Sequence, residues 1–290
     1  MTLRAAIFAM AALSSFSLSG CADETRANDA RVAPRVVSLD YCADQYALKF
    51  VDRERLLAVS NEADAPYSYM RAAARGVRRV RPIAEDVLSL KPDIVVRAYG
   101  GGPRAAAFFQ RAGVEVVQIG YANDIDGVRN IVLETAAALG AAEKGARAVA
   151  QMDARLADIA AEAPAAPMKS ALYMTPGGVT TGPGSVLHDV MVRAGYENFE
   201  AAPGWPPLPL ERLAVERPDA VAAGFFDWRR QDLKGWTAAR HPIARNVIDT
   251  AETTFLDAAV LACAGWFVVD AVEALSDARR AAGAEKAADR

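Results

Sequence analysis

Arginine is the residue type best suited to binding chemistry in this sequence of 290 residues. Five arginines and no acidic residue occur between positions 71 and 81, and Arg97 ends a later apolar run. Clustered guanidinium groups bind carboxylate or catecholate oxygens, often through two parallel hydrogen bonds. Arg71 and Arg75 fit a solvated helix surface better, because charged side chains are rarely buried. The remaining candidates for contacts with an anionic ligand are Arg78, Arg79, Arg81 and Arg97.

Aromatic side chains follow several of the predicted strands. Ligands of open α/β sheets bind beyond the carboxyl ends of the strands, so these loops would line a binding site. An aromatic wall suits a large, flat or macrocyclic ligand. Phe225 and Trp266 fit a buried core equally well. The aromatic candidates for ligand contact are Tyr41, Tyr67, Tyr99, Phe226 and Trp228.

Catalytic and metal chemistry have little support in the sequence. His188 and His241 are the only histidines, and no HExxH or CxxC motif is present, so we expect neither a metal nor a cofactor. An exported hydrolase acting through Ser185 is a weaker alternative. Gly184 and Ser185 do not belong to a nucleophile elbow, and His188 fits a helix surface better than a general base. We therefore do not expect an enzyme.

The N-terminus predicts export. Arg4 precedes an apolar run at 5–13, which is too short and too rich in small residues to span a bilayer permanently. Residues 18–21, Leu-Ser-Gly-Cys, resemble the bacterial lipobox, whose cysteine is lipid-modified after cleavage. We expect a signal peptide at 1–20, a lipid-anchored Cys21 in the periplasm and a flexible tether at 21–34. Ordinary cleavage beside an incidental cysteine is the alternative.

Two cysteines, Cys42 and Cys263, remain in the mature chain. An even number of cysteines in an oxidising compartment favours a disulfide, although two buried thiols distant in sequence need not meet. The net charge of −3 argues against nucleic acid as a partner, because binding to phosphates needs a strong basic excess.

Short apolar runs alternate with helical patterns along the mature chain, which predicts an α/β fold with mostly parallel sheets. Predicted strands lie at 36–39, 56–59, 93–96, 114–117, 170–174 and 220–223. Residues 124–163 have a helical pattern almost throughout. The predicted divisions are an N-terminal lobe at 35–142, a linking helix at 143–167, a C-terminal lobe at 168–278 and a polar tail at 279–290.

An internal repeat indicates two lobes of similar construction. Residues 82–95 and 208–221 align without gaps, and Glu85 corresponds to Glu211. In each copy the glutamate opens a short helix, Pro-Asp follows seven residues later, and a strand begins there. An acidic residue at this place complements the positive end of its helix.

At these residues the chain resembles the periplasmic binding proteins for iron complexes and vitamin B12. The resemblance is carried by residues 35–45, by both copies of the repeat and by residues 175–182. It implies two Rossmann-like lobes joined by one long helix, a ligand cleft between them, and delivery of the ligand to the membrane permease subunits of an ABC importer. It also implies that Glu85 and Glu211 dock on that importer.

The resemblance also bears on the ligand. Haem-binding relatives place a tyrosine shortly before the first-lobe glutamate, and cobalamin carriers place an aromatic residue there, whereas this chain has residues 78–81, Arg-Arg-Val-Arg. We therefore expect a ferric siderophore first and a corrinoid such as cobalamin second. A lipoprotein of this fold that signals or scaffolds without a transporter is a further alternative. We expect a monomer with little lobe closure, because a helical linker resists hinging.

Overall fold

The first lobe is built on a five-stranded parallel sheet in this computed structural model, which describes residues 33–162, 167–226 and 237–288. The strand order is β3-β2-β1-β4-β5. Strands β1 and β4 are fully buried runs of mainly β-branched residues, as expected for the centre of a parallel sheet. The strands are β1 (Val36–Ser38), β2 (Leu56–Ser60), β3 (Arg79–Val80), β4 (Ile94–Arg97) and β5 (Glu115–Gln118).

Helices cover this sheet, and the first of them begins at Tyr41, in the segment between the first strand and the helical pattern of the sequence. Asp40 caps the first helix by accepting a hydrogen bond from the amide of Ala43. The third helix ends just before Gly113, whose φ of 78° suits the residue after a helix. The helices are α1 (Tyr41–Phe50), α2 (Ala84–Ser89), α3 (Ala105–Arg111) and α4 (Ile125–Ala138).

The long helix between the lobes is α5 (Ala142–Ala161). The helical pattern at 124–163 is divided into α4 and α5 by Gly140, whose φ is 73°, and the two helices pack against each other. Ala148, Met152, Leu156 and Ile159 form the buried stripe of α5. Part of the predicted linking helix, residues 163–166, lies outside the described residues. The predicted division of the chain into lobes therefore stays a prediction at this boundary.

The second lobe contains a four-stranded parallel sheet in the order β7-β6-β8-β9. Its strands are β6 (Lys169–Met174), β7 (Tyr196–Asn198), β8 (Ala220–Gly224) and β9 (Glu252–Leu256). Its described helices are α6 (Val186–Arg193), α7 (Leu210–Leu213), α8 (Pro242–Thr250), α9 (Ala258–Leu261) and α10 (Val269–Ala288), with 3-10 turns at Ala238–Arg240 and Trp266–Val268. Among the described residues, none of the helices combines the length and the apolar character of a membrane span.

The internal repeat has the same structural role in both lobes. Asp93 accepts a hydrogen bond from the amide of Arg35 at 2.7 Å, just before β1. Asp219 accepts one from the amide of Ser170 at 2.8 Å, within β6. In each lobe the aspartate thus fixes the start of the first strand beside its parallel partner, β4 or β8. The expectation of two lobes of similar construction is confirmed.

One apolar core passes through both lobes, and the described residues from Pro34 onward form one compact unit. Trp266 of the second lobe meets the ring of Tyr46 of the first, and Tyr69 stacks on Phe267 with ring centroids 4.3 Å apart. Asp270 on α10 then joins three elements, because it accepts hydrogen bonds from Tyr69 at 2.9 Å and from Arg155 of α5 at 2.7 Å. The lobes therefore share a packed junction.

The structure differs from the sequence-based prediction in three short strands and in the length of the last helix. Strands β3, β7 and β9 were not predicted, because β3 has two residues and the other two contain polar or acidic residues at sheet edges. The closing helix is longer than the sequence pattern suggests, because α10 continues to Ala288, and the polar tail expected at 279–290 stays a prediction. Arg279 is buried there, and its guanidinium donates a hydrogen bond to the carbonyl of Pro167.

Candidate functional site

A cleft of about 500 Å³ lies between the two lobes. It is reached from the loops that follow β1, β2, β6 and β8, which is where parallel α/β sheets bind ligands. Its lining is aromatic and polar on one side and rich in small residues on the other. The lining residues are Tyr41, Glu62 and Tyr67 from the first lobe and Thr175, Pro176, Gly177, Val179, Phe225 and Ala262 from the second.

Three of the predicted aromatic residues come together on the first-lobe side. The ring of Tyr41 lies edge-on to Tyr67, with centroids 5.0 Å apart, and to Tyr99 at 6.0 Å. The Tyr67 hydroxyl donates to Glu62 Oε1 at 2.6 Å. Partial burial, followed by this hydrogen bond, raises the pKa of Tyr67, and partial burial followed by the proximity of Tyr41 raises that of Tyr99. These two phenols are therefore protonated at neutral pH.

Asp40 holds two of these tyrosines in position. Its Oδ1 caps α1, which begins at Tyr41, while its Oδ2 accepts hydrogen bonds from the amides of Ala98, Tyr99 and Gly100 at 2.8, 3.1 and 2.8 Å. The carboxylate is buried. One side chain therefore joins the start of α1 to the loop after β4. The sequence analysis indicated neither the helix cap nor the contact with the distant loop.

Gln45 holds the loop that carries Tyr67. Its amide nitrogen donates to Ser68 Oγ at 2.9 Å and to the carbonyl of Tyr41 at 2.6 Å, and its oxygen accepts from the amide of Met70 at 2.6 Å. A buried amide with all these partners is a strong positional constraint. Nothing in the sequence distinguished Gln45 from other polar residues of the opening motif.

Asp44 fixes the end of β2, two residues before Glu62. It accepts hydrogen bonds from the amide and the hydroxyl of Ser60, at 3.0 and 2.6 Å. Burial raises the pKa of this carboxyl to about 6, in spite of the opposing effect of the two hydrogen bonds from Ser60. A buried carboxyl with a raised pKa therefore lies behind the first-lobe wall of the cleft.

The four arginines expected in the cleft do not line it in the part of the chain that the structure describes. Arg79 pairs with Asp64 at 3.0 Å, and Arg81 pairs with Asp86 at 2.6 Å.

Arg97 is buried at the end of β4, and its guanidinium donates to the carbonyls of Gly100 and Gly102, each at 2.9 Å. Its position at a strand end was correctly predicted. Its side chain, however, hydrogen-bonds to carbonyls of the loop that follows the strand and does not reach the cleft. Arg78 is exposed and directly precedes β3.

Two other aromatic residues, Phe226 and Trp228, were also predicted to contact the ligand. Phe226 lines a neighbouring pocket and not the cleft, whereas Phe225, which has a φ of 64°, lines the cleft. A positive φ is rare for a bulky residue, and such backbone often occurs at binding sites. Trp228 lies outside the described residues.

The disulfide considered from the sequence is present. Cys42 and Cys263 are bonded, with their Cα atoms 5.5 Å apart. Cys42 lies in α1 next to Tyr41, and Cys263 lies next to Ala262, so both cysteines adjoin residues that line the cleft. The bridge therefore joins the two walls.

The remaining candidates fall into surface positions and buried structural roles. Glu85 and Glu211 are both exposed in the first turn of their helices, α2 and α7, as the repeat predicts, and their role in docking stays a prediction. Cys21 lies outside the described residues. Ser185 is buried and accepts a hydrogen bond from the amide of His188 as the cap of α6, which gives it a structural role. The described residues contain no group of three His, Cys, Asp or Glu side chains that could hold a metal.

Solved structures share this architecture. The chain has a TM-score of 0.64 and 24% identity to the periplasmic heme-binding protein BhuT in complex with two hemes, covering 84% of this chain and 98% of that one. For the heme-binding protein RhuT from Roseiflexus sp. RS-1 the values are 0.65 and 22%, covering 85% and 99%. For the vitamin B12 binding protein BtuF of Vibrio cholerae they are 0.64 and 20%, covering 87% and 98%. At such identities the likeness shows the fold.

Sequence comparison identifies the family. No curated protein matches the chain significantly. Residues 36–259, which include both sheets and every described residue of the cleft except Ala262, match the family described as periplasmic binding protein. Its members are substrate-binding proteins and not enzymes. The chain therefore belongs to the periplasmic binding protein family.

Proposed function

We propose that this chain is a lipoprotein anchored through Cys21 that captures a ferric siderophore and delivers it to the membrane subunits of an ABC importer. The observation that supports the ligand is the pair Tyr41 and Tyr67, which lines one wall of the interlobe cleft together with Glu62, while Tyr99 packs against Tyr41. Oxygen donors and aromatic faces suit the ligand shell of a bound ferric ion, which is itself built of oxygen and apolar groups.

The charge of the cleft wall favours a neutral siderophore complex over an anionic one. Arg79, Arg81 and Arg97 are occupied by contacts within the first lobe, and the first-lobe wall includes the carboxylate of Glu62. A strongly anionic catecholate complex would meet this carboxylate without a cation on the described part of the cleft wall. A neutral ferric hydroxamate core is therefore the ligand that the cleft favours.

A corrinoid is the second candidate. The Vibrio cholerae vitamin B12 binding protein shares the fold, and an aromatic wall also suits a flat macrocycle. The heme-binding proteins share the fold as well, so haem belongs in the same test.

Delivery would use Glu85 and Glu211, one from each lobe. Both are exposed at equivalent places in the two copies of the repeat, and two charges at a fixed separation would orient the encounter with the importer. Replacing both by glutamine is expected to abolish uptake while ligand affinity stays unchanged. Loss of affinity, or normal uptake, would contradict this role.

The ligand can be tested by intrinsic fluorescence titration of residues 35–290. The panel contains a ferric trihydroxamate, a ferric tricatecholate, cyanocobalamin and haemin. We expect saturable quenching by the trihydroxamate, weakened by Tyr67→Phe, which removes one hydroxyl and keeps the ring. Tyr121→Phe is the matched control, because Tyr121 is exposed and does not line the cleft. Preferential binding of the tricatecholate, cyanocobalamin or haemin would overturn the proposed ligand.

A further inference from the structure

A second pocket of about 430 Å³ opens beside the cleft in the second lobe. Pro176 lines both cavities, and the consecutive residues Phe225 and Phe226 face one cavity each. The two cavities are therefore adjacent parts of one binding surface. The sequence placed Phe226 among the ligand contacts but did not indicate a separate pocket.

The floor of this pocket is apolar. Phe226 and Phe255 meet edge to face with ring centroids 6.0 Å apart, and Ile248 contributes to the lining. Phe255 is 63% exposed although it lies in a strand. Exposed aromatic surface beside a ligand cleft is a common property of binding sites.

The rim of the pocket is charged. Arg240 and Arg245 line it, together with Asp249 one helical turn after Arg245. Arg245 is exposed and makes no ion pair with any residue that the structure describes, in contrast to Arg79 and Arg81. Its guanidinium is therefore available to a carboxylate or phosphate, to which it can donate two parallel hydrogen bonds.

We propose that this pocket is a subsite for an anionic appendage of the ligand, in which Arg245 binds the anion while Phe226 and Phe255 cover its apolar stem. The proposal rests on the proposed function, because the cleft would hold the ferric core of the same molecule. It refines the ligand class to a neutral metal complex that carries one carboxylate or phosphate at the end of an apolar arm.

The test compares two probes that differ only at the appendage. One is a linear ferric trihydroxamate ending in a carboxylate, and the other is the same complex with that carboxylate converted to its methyl ester. Affinities are measured by fluorescence titration for the original chain, Arg245→Gln and Arg78→Gln. Arg78 is the matched control, because it is exposed and lines neither cavity.

We expect the original chain and Arg78→Gln to bind the carboxylate form about tenfold more tightly than the ester, as one charge-assisted contact provides. In Arg245→Gln this ratio is expected to fall to about one, with the affinity for the ester unchanged. Equal affinities in the original chain, or a ratio that persists in Arg245→Gln, would overturn the subsite alone. Failure of both probes to bind would overturn the proposed function and the subsite with it.

Discussion

The first-lobe wall of the cleft is held by buried polar side chains, whereas the second-lobe wall is held by close approach of backbone at small residues. Asp40, Asp44 and Gln45 bind amides and hydroxyls from the end of β2, from the loop that follows it and from the loop after β4. In the second lobe, a Cβ atom at Gly182 would lie 1.9 Å from the carbonyl oxygen of Ala202, and one at Gly224 would lie 2.5 Å from the hydroxyl of Tyr173.

This difference has physical consequences for each wall. Hydrogen bonds to carboxylates depend on the protonation state of the carboxylates, so the first wall should respond to pH. Close backbone contacts depend only on the size of the side chain at the contact. The stability of the second wall should therefore fall when a methyl group is added and should not depend on pH.

Removing the bridge between the walls should have the largest effect. The double variant Cys42→Ala/Cys263→Ala is expected to lose about 4 kcal/mol of unfolding free energy, because the bond closes a long loop in the unfolded chain. Urea unfolding of oxidised and reduced protein measures the loss. Reduction should lower the stability of the original chain and leave that of the variant unchanged. Equal stability of the oxidised original and the variant would refute the bridge as a joint between the walls.

Adding one methyl group to the second wall should be nearly as damaging. Gly182→Ala places a Cβ against the backbone carbonyl of Ala202, which cannot move without displacing its own loop, so we expect a loss of about 3 kcal/mol. Gly177→Ala is the matched control, because its Cβ would make only an ordinary contact with Thr175 Oγ1 at 3.7 Å. Thermal unfolding separates the two variants. Similar midpoints would show that the wall tolerates the added volume.

The first wall should lose stability as pH rises. The pKa of Asp44 is raised from 3.8 to about 6 in the folded chain, so its contribution is fully present below pH 3.8 and is lost as pH rises through 6. The shift corresponds to about 3 kcal/mol across this range. Asp44→Asn should remove that part of the pH dependence in urea unfolding, whereas Asp158→Asn, at an exposed site on α5, should keep it. A parallel profile for Asp44→Asn and the original chain would contradict the assignment.

Weakening the tyrosine support of the first wall should have the smallest effect on stability and a clear effect on binding. Asp40→Asn keeps one acceptor oxygen for two sets of amide donors, so we expect a loss of about 2 kcal/mol and weaker ligand binding. Asp124→Asn, which alters the cap of α4 alone, should leave binding unchanged. Stability is read from urea unfolding and binding from the fluorescence titration. Unaltered affinity in Asp40→Asn would show that the positions of Tyr41 and Tyr99 do not control capture.

The sequence predicted the parts of the fold that local patterns encode. Six strands, the paired lobes and the helix end at Gly113 follow from β-branched runs, a repeat and turn chemistry, all of which act within a few residues. Strand β9 was missed because Glu252 and its polar neighbours occupy a sheet edge, where the apolar pattern is weak.

The site was harder to predict because side-chain direction is a tertiary property. Arg97 ends a strand beside the cleft, yet its guanidinium turns to the carbonyls of its own loop. The sequence did not indicate Arg245, because an exposed arginine on a helix has no distinguishing pattern in sequence. The grouping of Tyr41, Tyr67 and Tyr99 could be predicted, because each tyrosine lies in the segment that follows a predicted strand.

The shared aromatic core has a consequence for how a loaded molecule is recognised. Because Trp266 and Phe267 pack among first-lobe rings, the lobes form one cooperative folding unit, and we expect a single melting transition that any bound ligand raises for the whole chain. Large swings of one lobe about the other would have to break that core. A partner would then distinguish the loaded molecule from the empty one by the ligand itself and by side chains at the rim of the cleft, and not by a large movement of the lobes.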